Sequence, residues 1–245
     1  MRLQFLLVLL GGLVAGKAAS FEDANRHYEK GDYDAAAAGY REQLKTGRVS
    51  PALYFNLGNA LFQGGDFGKG IWCYRQAKRL APRDPDIRAN LRFSRKEVAG
   101  AFAPEEVGWR TVFQNLSQVE WKWFAALGLG VLFALLAVRE YLRANAGGLA
   151  WPIRIFALIA PIAVALSWVG HRAWDGSQEA VVVVEKLDAR YGPLEDSKAA
   201  YQLVDGEEVI IADQKDEWLQ IVNTSGQSGW VPATSLLRLN DQLPD

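Results

Sequence analysis

The sequence predicts a multidomain chain in three parts: an all-α helical repeat segment, a transmembrane helical hairpin and a small all-β barrel. Three observations predict it. Residues 21–97 carry a helical pattern that matches itself at a period of 34. Two runs, 123–138 and 155–169, are apolar and hold no charged residue. Beyond Asp175 and Gly176 the pattern changes from helical to alternating, with turn residues between short apolar runs.

The apolar pair comes first because it divides the chain. A run of that length rises about 24 Å as a helix, short of the roughly 30 Å hydrocarbon layer, so its flanks must extend it. Lys122, Arg139 and Arg154 can snorkel to the interfaces, and Trp121, Trp123, Tyr141 and Trp151 suit the headgroup level. This places the spanning helices at 123–140 and 151–170 with a loop at 141–150. A soluble helix would show a polar stripe, which both runs lack. Small residues, among them Gly128, Gly130, Ala160 and Ala163, supply a close-packing surface, and Pro161 predicts a kink. Arg139, Arg143 and Arg154 stand against the single acid Glu140 in the connection, so the loop is expected in the cytoplasm and both flanking parts outside it. The N-terminus agrees. Met1 and Arg2, the apolar stretch from Leu3 to Val14 and the small residues Ala18, Ala19 and Ser20 form an export signal over 1–20. It is either cleaved after Ala18 or Ser20, or kept as an anchor.

The formal net charge of −1 hides an asymmetry. Residues 21–100 carry about four more basic than acidic side chains, whereas 175–245 are acidic by about nine. The single cysteine, Cys73, excludes an internal disulfide and any multi-cysteine metal site, and suits a small buried apolar position.

Within the helical segment, Ala24 aligns with Gly58, Asn25 with Asn59 and Tyr28 with Phe62, each one period apart. Further along, Gly31 aligns with Gly65, Asp32 with Asp66 and Tyr40 with Tyr74, and Asn56 with Asn90. The second copy holds Tyr54, Leu57, Gly58, Leu61, Phe67, Gly70, Tyr74, Ala77 and Pro82, and on these residues the segment resembles the tetratricopeptide repeat. The first copy departs from that pattern, with His27 where the second has Leu61 and Arg48 where it has Pro82. Residues 86–98 read as a capping helix, so the repeat domain is expected over 21–100. The resemblance implies a concave groove for an extended peptide, faced by Asn25, Tyr28, Asn56, Asn59, Phe62 and Asn90; the same asparagines can instead satisfy the repeat's own backbone. Family members that clamp a peptide carboxylate use lysines where this chain has Phe21 and Asp86, so an acidic C-terminus is not the expected ligand. Two copies and a cap are few for stability, and a partner or second copy is expected to complete the stack.

Pro104 and Gly108 break the helical pattern, and Trp109, Val112, Phe113 and Leu116 then recur at helical spacing, with Val119 and Trp123 continuing on the same side. Residues 101–122 are therefore a linker and an amphipathic juxtamembrane helix that lies in the headgroup layer or packs on the repeats. In the C-terminal part, strands are expected at 180–184, 208–212, 218–222 and 229–231, with turns at 191–193, 205–207, 213–217 and 223–228. A loop with Gly192 and Pro193, Leu203 with Gly206 before Val209, Trp218 opening a strand, and the run Gly229, Trp230, Val231 and Pro232 resemble the bacterial SH3-like domain, placed at 176–240. Trp218 and Trp230 suit core or groove-wall roles. The resemblance implies binding of peptides or cell-wall fragments, for which Tyr191, Tyr201 and Trp230 are candidates. The acidity of this part argues against nucleic acid or an anionic lipid surface as its partner.

No nucleophile stands near a base: His27 and His171 are the only histidines, and neither neighbours Cys73 in sequence. No phosphate loop, metal-ligand spacing or dinucleotide fingerprint occurs, so no cofactor and no catalysis are expected. The acid pairs Glu105 with Glu106 and Glu207 with Glu208 are expected to be solvated. As a whole, the export signal, repeats, hairpin and SH3-like domain resemble the BatE family of the Bat aerotolerance operon. That resemblance implies a multi-pass protein of the bacterial inner (cytoplasmic) membrane with both soluble parts in the periplasm. It would be a noncatalytic scaffold in stress tolerance beside von Willebrand A-domain membrane proteins and a MoxR-type AAA ATPase; a peptidoglycan-binding anchor is the other reading.

Overall fold

The computed structural model describes residues 21–100, 108–142, 150–175 and 178–243. The expected export signal, the linker with Pro104 and the basic loop at Arg143 lie outside the described residues. The chain divides into two compact units: one joins the N-terminal helices to the C-terminal sheet, and the other contains the two long apolar helices.

The helical region holds α1 (21–29), α2 (Tyr33–Lys45), α3 (Pro51–Gln63), α4 (Phe67–Leu80) and α5 (Pro85–Ala99). Its helix ends recur at the sequence period. Gly31 and Gly65 adopt positive φ of 78° and 90°, which ends each helix and turns the chain. The next residue caps the helix that follows: Asp32 accepts from the Ala35 N–H and Asp66 from the Lys69 N–H, both at 3.3 Å. Ser50 and Asp84 cap α3 and α5, each with a proline in the first turn. The buried polar contacts repeat as well. The Tyr40 hydroxyl donates to Asn25 Oδ1 at 2.6 Å and the Tyr74 hydroxyl to Asn59 Oδ1 at 2.7 Å. Close approach of paired helices is bought by glycine. A Cβ on Gly39 would lie 2.8 Å from Ala24 Cβ, and one on Gly58 would lie 2.9 Å from the Tyr74 ring. The glycine has changed helix between the two pairs, since Gly58 aligns with Ala24 and Cys73 with Gly39.

The sheet has seven antiparallel strands: β1 (Glu179–Val182), β2 (Lys186–Arg190), β3 (Ala199–Val204), β4 (Glu208–Lys215), β5 (Trp218–Val222), β6 (Ser228–Pro232) and β7 (Leu236–Arg238), in the order β3-β2-β6-β5-β4-β1-β7. Sequence patterning finds four of the seven and misses β2, β3 and β7. β4 also runs further than expected, so its turn to β5 shrinks to Asp216 and Glu217, with Asp216 at φ 53°. Leu203, Leu219, Ile221 and Val231 fill the barrel interior. β1 is buried on both faces: Ala180 and Val182 point into the barrel, and Val181 joins Leu237 and Leu239 in the helical core with Ile71 and Trp72. The chain's own barrel thus packs on the stack of helices.

In the other unit, α6 (Trp109–Phe113) is a single turn and a half, followed by α7 (Gln118–Leu142) and α8 (Ala150–Ala173). The expected juxtamembrane helix does not continue into Trp123. Ser117 and Glu120 form a reciprocal cap, the Ser117 N–H donating to Glu120 Oε2 at 2.8 Å and the Glu120 N–H to Ser117 Oγ at 3.3 Å, and this starts a new helix. The segment packs on the end of α8, where Gln114 Nε2 donates to the Ala173 carbonyl and Trp174 Nε1 to the Leu116 carbonyl, each at 2.8 Å. Trp121 is a second correction: its ring is buried against Gly170 and its Nε1 donates to the Phe113 carbonyl at 3.0 Å, so it does not belong to an outward aromatic belt. Trp123, Tyr141 and Trp151 do face outward. The helices meet at small residues, with Gly128 against Ala160 and Ala163, while Gly130 faces open space. Pro161 sits inside α8, which runs unbroken past it. Residues Gln118–Tyr141 and Ala150–Ala173, 24 in each, are long and apolar enough to cross a membrane.

Candidate functional site

Helix and barrel meet through charges that lie far apart in sequence. Arg75 on α4 reaches both Glu179 on β1 and Glu208 on β4. Arg95 on α5 also engages Glu208, through Nε at 2.5 Å and Nη2 at 3.0 Å. Burial alone would disfavour the Glu208 charge, but Arg95 and Arg75 outweigh it and hold the carboxyl at about 2. This overturns the expectation that Glu207 and Glu208 are solvated. Only the fold brings the two arginines to Glu208, and Glu207, half-buried, accepts the Val204 N–H at 3.0 Å. Backbone bonds complete the seam: Trp72 Nε1 donates to the Arg238 carbonyl at 2.9 Å and Gln76 Nε2 to the Leu239 carbonyl at 2.6 Å.

Where α4 begins, it touches the barrel backbone. A Cβ on Gly68 would lie 2.1 Å from the Val182 carbonyl oxygen and 2.5 Å from Asp205 Oδ1, so no side chain fits there. Asp205 comes from the β3–β4 turn and lies over the first turn of α4. Burial raises its pKa, against the opposing pull of the Gly68 and Phe67 N–H groups. Its Oδ1 is buried without a hydrogen bond of good geometry.

Beside this contact opens a cleft of about 1000 Å³. One wall is helical: Phe62 at the end of α3, Phe67 at the start of α4, and Phe93, Glu97 and Val98 on α5. The other is the barrel, through Val183, Glu185, Val204 and Asp205. The three phenylalanines are in edge-to-face contact, Phe62 lying 4.9 Å from Phe67 and 6.3 Å from Phe93 between ring centroids.

The groove candidates separate into two groups. Asn25 and Asn59 use their side-chain oxygens on tyrosines of their own helix pairs, and Asn90 Nδ2 donates to Asn59 Oδ1 at 2.9 Å. These three therefore hold the helices together. Tyr28 is half-buried and stacks edge-on to Tyr33 at 5.4 Å. Phe62 is buried in the cleft wall. Asn56 is half-buried and makes no side-chain hydrogen bond among the described residues. On the barrel, Tyr191 is fully outward at 75% exposure. Tyr201 donates to the Gln227 carbonyl at 3.1 Å, and Trp230 is half-buried opposite Arg190 and Gln220. The three thus line one end of the sheet, where β3, β2 and β6 run.

Sequence reading missed Phe93, Glu97, Glu185 and Asp205. One signal was available, since Phe93 is a large apolar residue between Arg92 and Ser94 on a helix expected only to cap. Asp205 gave none, reading simply as a turn residue before Gly206.

Residues 183–237 match the bacterial SH3 domain family. The matched stretch runs from the end of β1 into β7, so it takes in β2 to β6 entire. A comparison with curated proteins finds no match to the chain.

Proposed function

We propose that this protein is a noncatalytic adaptor, held in the bacterial inner membrane by α7 and α8 as a hairpin, with its repeats and SH3-like barrel together in the periplasm. The observation that carries this reading is the shared core of the helical region and the barrel, in which Val181, Leu237 and Leu239 lie with Ile71 and Trp72. Two binding modules are presented as one body, which suits the joining of partners. The recurrence of caps, turns and tyrosine–asparagine bonds at the 34-residue period supports the tetratricopeptide reading of the helices. The outward apolar faces of α7 and α8, including Phe124, Leu127, Phe133, Leu158 and Ile162, support a lipid environment, since soluble proteins do not expose such surface. That segments on both sides of the hairpin build one core supports an even number of crossings between them. By the resemblance to BatE proteins, the partners are von Willebrand A-domain Bat membrane proteins and, through them, a MoxR-type ATPase, in envelope stress or aerotolerance.

Asn56 is the position to test, because its amide is not committed within the fold. A tagged full-length protein in mild detergent is expected to retain a von Willebrand A-domain Bat protein, and Asn56→Ala to retain several-fold less at unchanged thermal stability. Equal retention would remove the concave face from the adaptor reading. The exposed Tyr191 and Leu194 favour a second reading, an anchor that grips peptidoglycan through the barrel. Retention on insoluble cell wall that Tyr191→Ala abolishes would support it over the first.

A further inference from the structure

The geometry points to the cleft between α3, α5 and the barrel as a docking site for a basic peptide segment of a partner protein, with a lysine or arginine side chain seated among Phe62, Phe67 and Phe93 and facing Glu97 and Glu185. This rests on the reading of the chain as a binding module, but it uses a surface that neither the repeats nor the barrel forms alone.

Shape and charge both argue for that occupant. The cleft's volume of about 1000 Å³ is at the upper end for small-ligand pockets and admits several side chains. Its aromatic wall is partly open, Phe67 at 38% and Phe93 at 57% exposure. Aromatic faces of this kind attract a cation carried on an apolar stem. The charged side chains of the lining are all acidic, and no lysine or arginine contributes to it. Among the acids, Asp66 is taken up by Lys69 at 2.8 Å. Glu97 and Glu185 are exposed and have no ion pair or hydrogen bond among the described residues. Asp205 lies behind them, its Oδ1 buried against Gly68 of α4, and takes no part in the charge presented to the cleft. Two exposed carboxylates without a cation beside an aromatic floor repel phosphate, nucleic acid and acidic peptides, and are complementary to a basic one. The site also has a defined width, because Gly68 clamps the barrel against α4 and Glu208 locks it to α5.

Fluorescence anisotropy on the full-length protein in detergent micelles tests this, with a labelled Gly-Ser-Lys-Leu-Lys-Ser-Gly peptide and its counterpart bearing glutamates for lysines. The lysine peptide is expected to bind saturably at low salt, and the glutamate peptide to fail. Combined Glu97→Gln and Glu185→Gln should weaken binding roughly tenfold. Phe93→Ala should also weaken it, while Asn56→Ala leaves it unchanged. Circular dichroism checks that these surface variants fold. Equal binding of the two peptides, or an unaltered affinity in the double variant, overturns the proposal. So does retention of insoluble cell wall through the same carboxylates without binding of the lysine peptide. Failure here with Asn56-dependent partner capture intact would leave the adaptor reading standing.

Discussion

Glu208 joins the barrel to two helices at once, through Arg75 on α4 and Arg95 on α5. It is nearly inaccessible, as is Arg95, and each would be costly to bury alone. Glu208→Gln leaves two arginines facing a neutral amide, and removing one partner of such a cluster costs about 3 kcal/mol or more. The pH dependence has a definite sign. The folded carboxyl titrates at about 2, below its ordinary range near 4, so its contribution is complete above about pH 5 and is lost as pH falls toward 2. Hydrogen-exchange protection at β1, β4 and α4, taken relative to the intrinsic exchange rate at each pH, is expected to fall through that window in the wild type. In Glu208→Gln it should already be low at neutral pH, with little further change on acidification. A wild-type pH profile matching that of the variant would remove Glu208 from this role. Neighbouring letters could not have separated Glu207 from Glu208, since the arginines that distinguish them are more than 100 positions away. Asn59 was equally ambiguous, because an amide suited to a peptide backbone is also suited to Tyr74 and Asn90.

At the scale of elements, the helices were legible because their punctuation is chemical and local. A glycine able to take positive φ, followed by an aspartate that caps the next helix, stands at both Gly31–Asp32 and Gly65–Asp66. The strands were less so. β2 reads Lys-Leu-Asp-Ala-Arg, and its two buried positions, Leu187 and Ala189, are too few and too small to stand out. β7 is three residues long and is buried by α4, a partner no local pattern reveals. The Ser117–Glu120 cap was in plain view as a serine followed three residues later by glutamate, but the apolar spacing on either side concealed it. Gly58→Ala tests the packing of the second helix pair. The added Cβ would press on Tyr74, whose ring is pinned by its bond to Asn59, and on the Gly70 carbonyl oxygen at 3.2 Å. Overpacking of this kind costs about 1–3 kcal/mol, seen as a lowered denaturant midpoint at unchanged slope. An unchanged midpoint would mean that α3 and α4 can separate freely.

The whole molecule is organised by a return of the chain. Residues 21–78, 84–100 and 178–243 fall in one unit, yet the chain between its two halves contains two helices whose apolar faces point outward along their length. Crossing a bilayer once would put the halves of that unit on opposite sides and expose the shared core, so on the proposed reading the helices cross as a pair. Cysteine labelling suits the test, because the native thiol supplies no background. Cys73 is fully buried, and burial pushes its pKa up, so it is neither accessible nor ionised at neutral pH. Single variants Asp34→Cys in α2 and Thr224→Cys in the β5–β6 turn place a thiol at exposed positions of the two segments. Ala146→Cys places one in the connection between the helices. A membrane-impermeant maleimide applied to intact spheroplasts is expected to label the first two and not the third, which reacts only after permeabilisation. Labelling of Asp34→Cys alone on intact cells would put the barrel on the other side of the membrane. The core seen here could not then form in the cell, and the basic-peptide cleft, which needs walls from both segments, would fall with it.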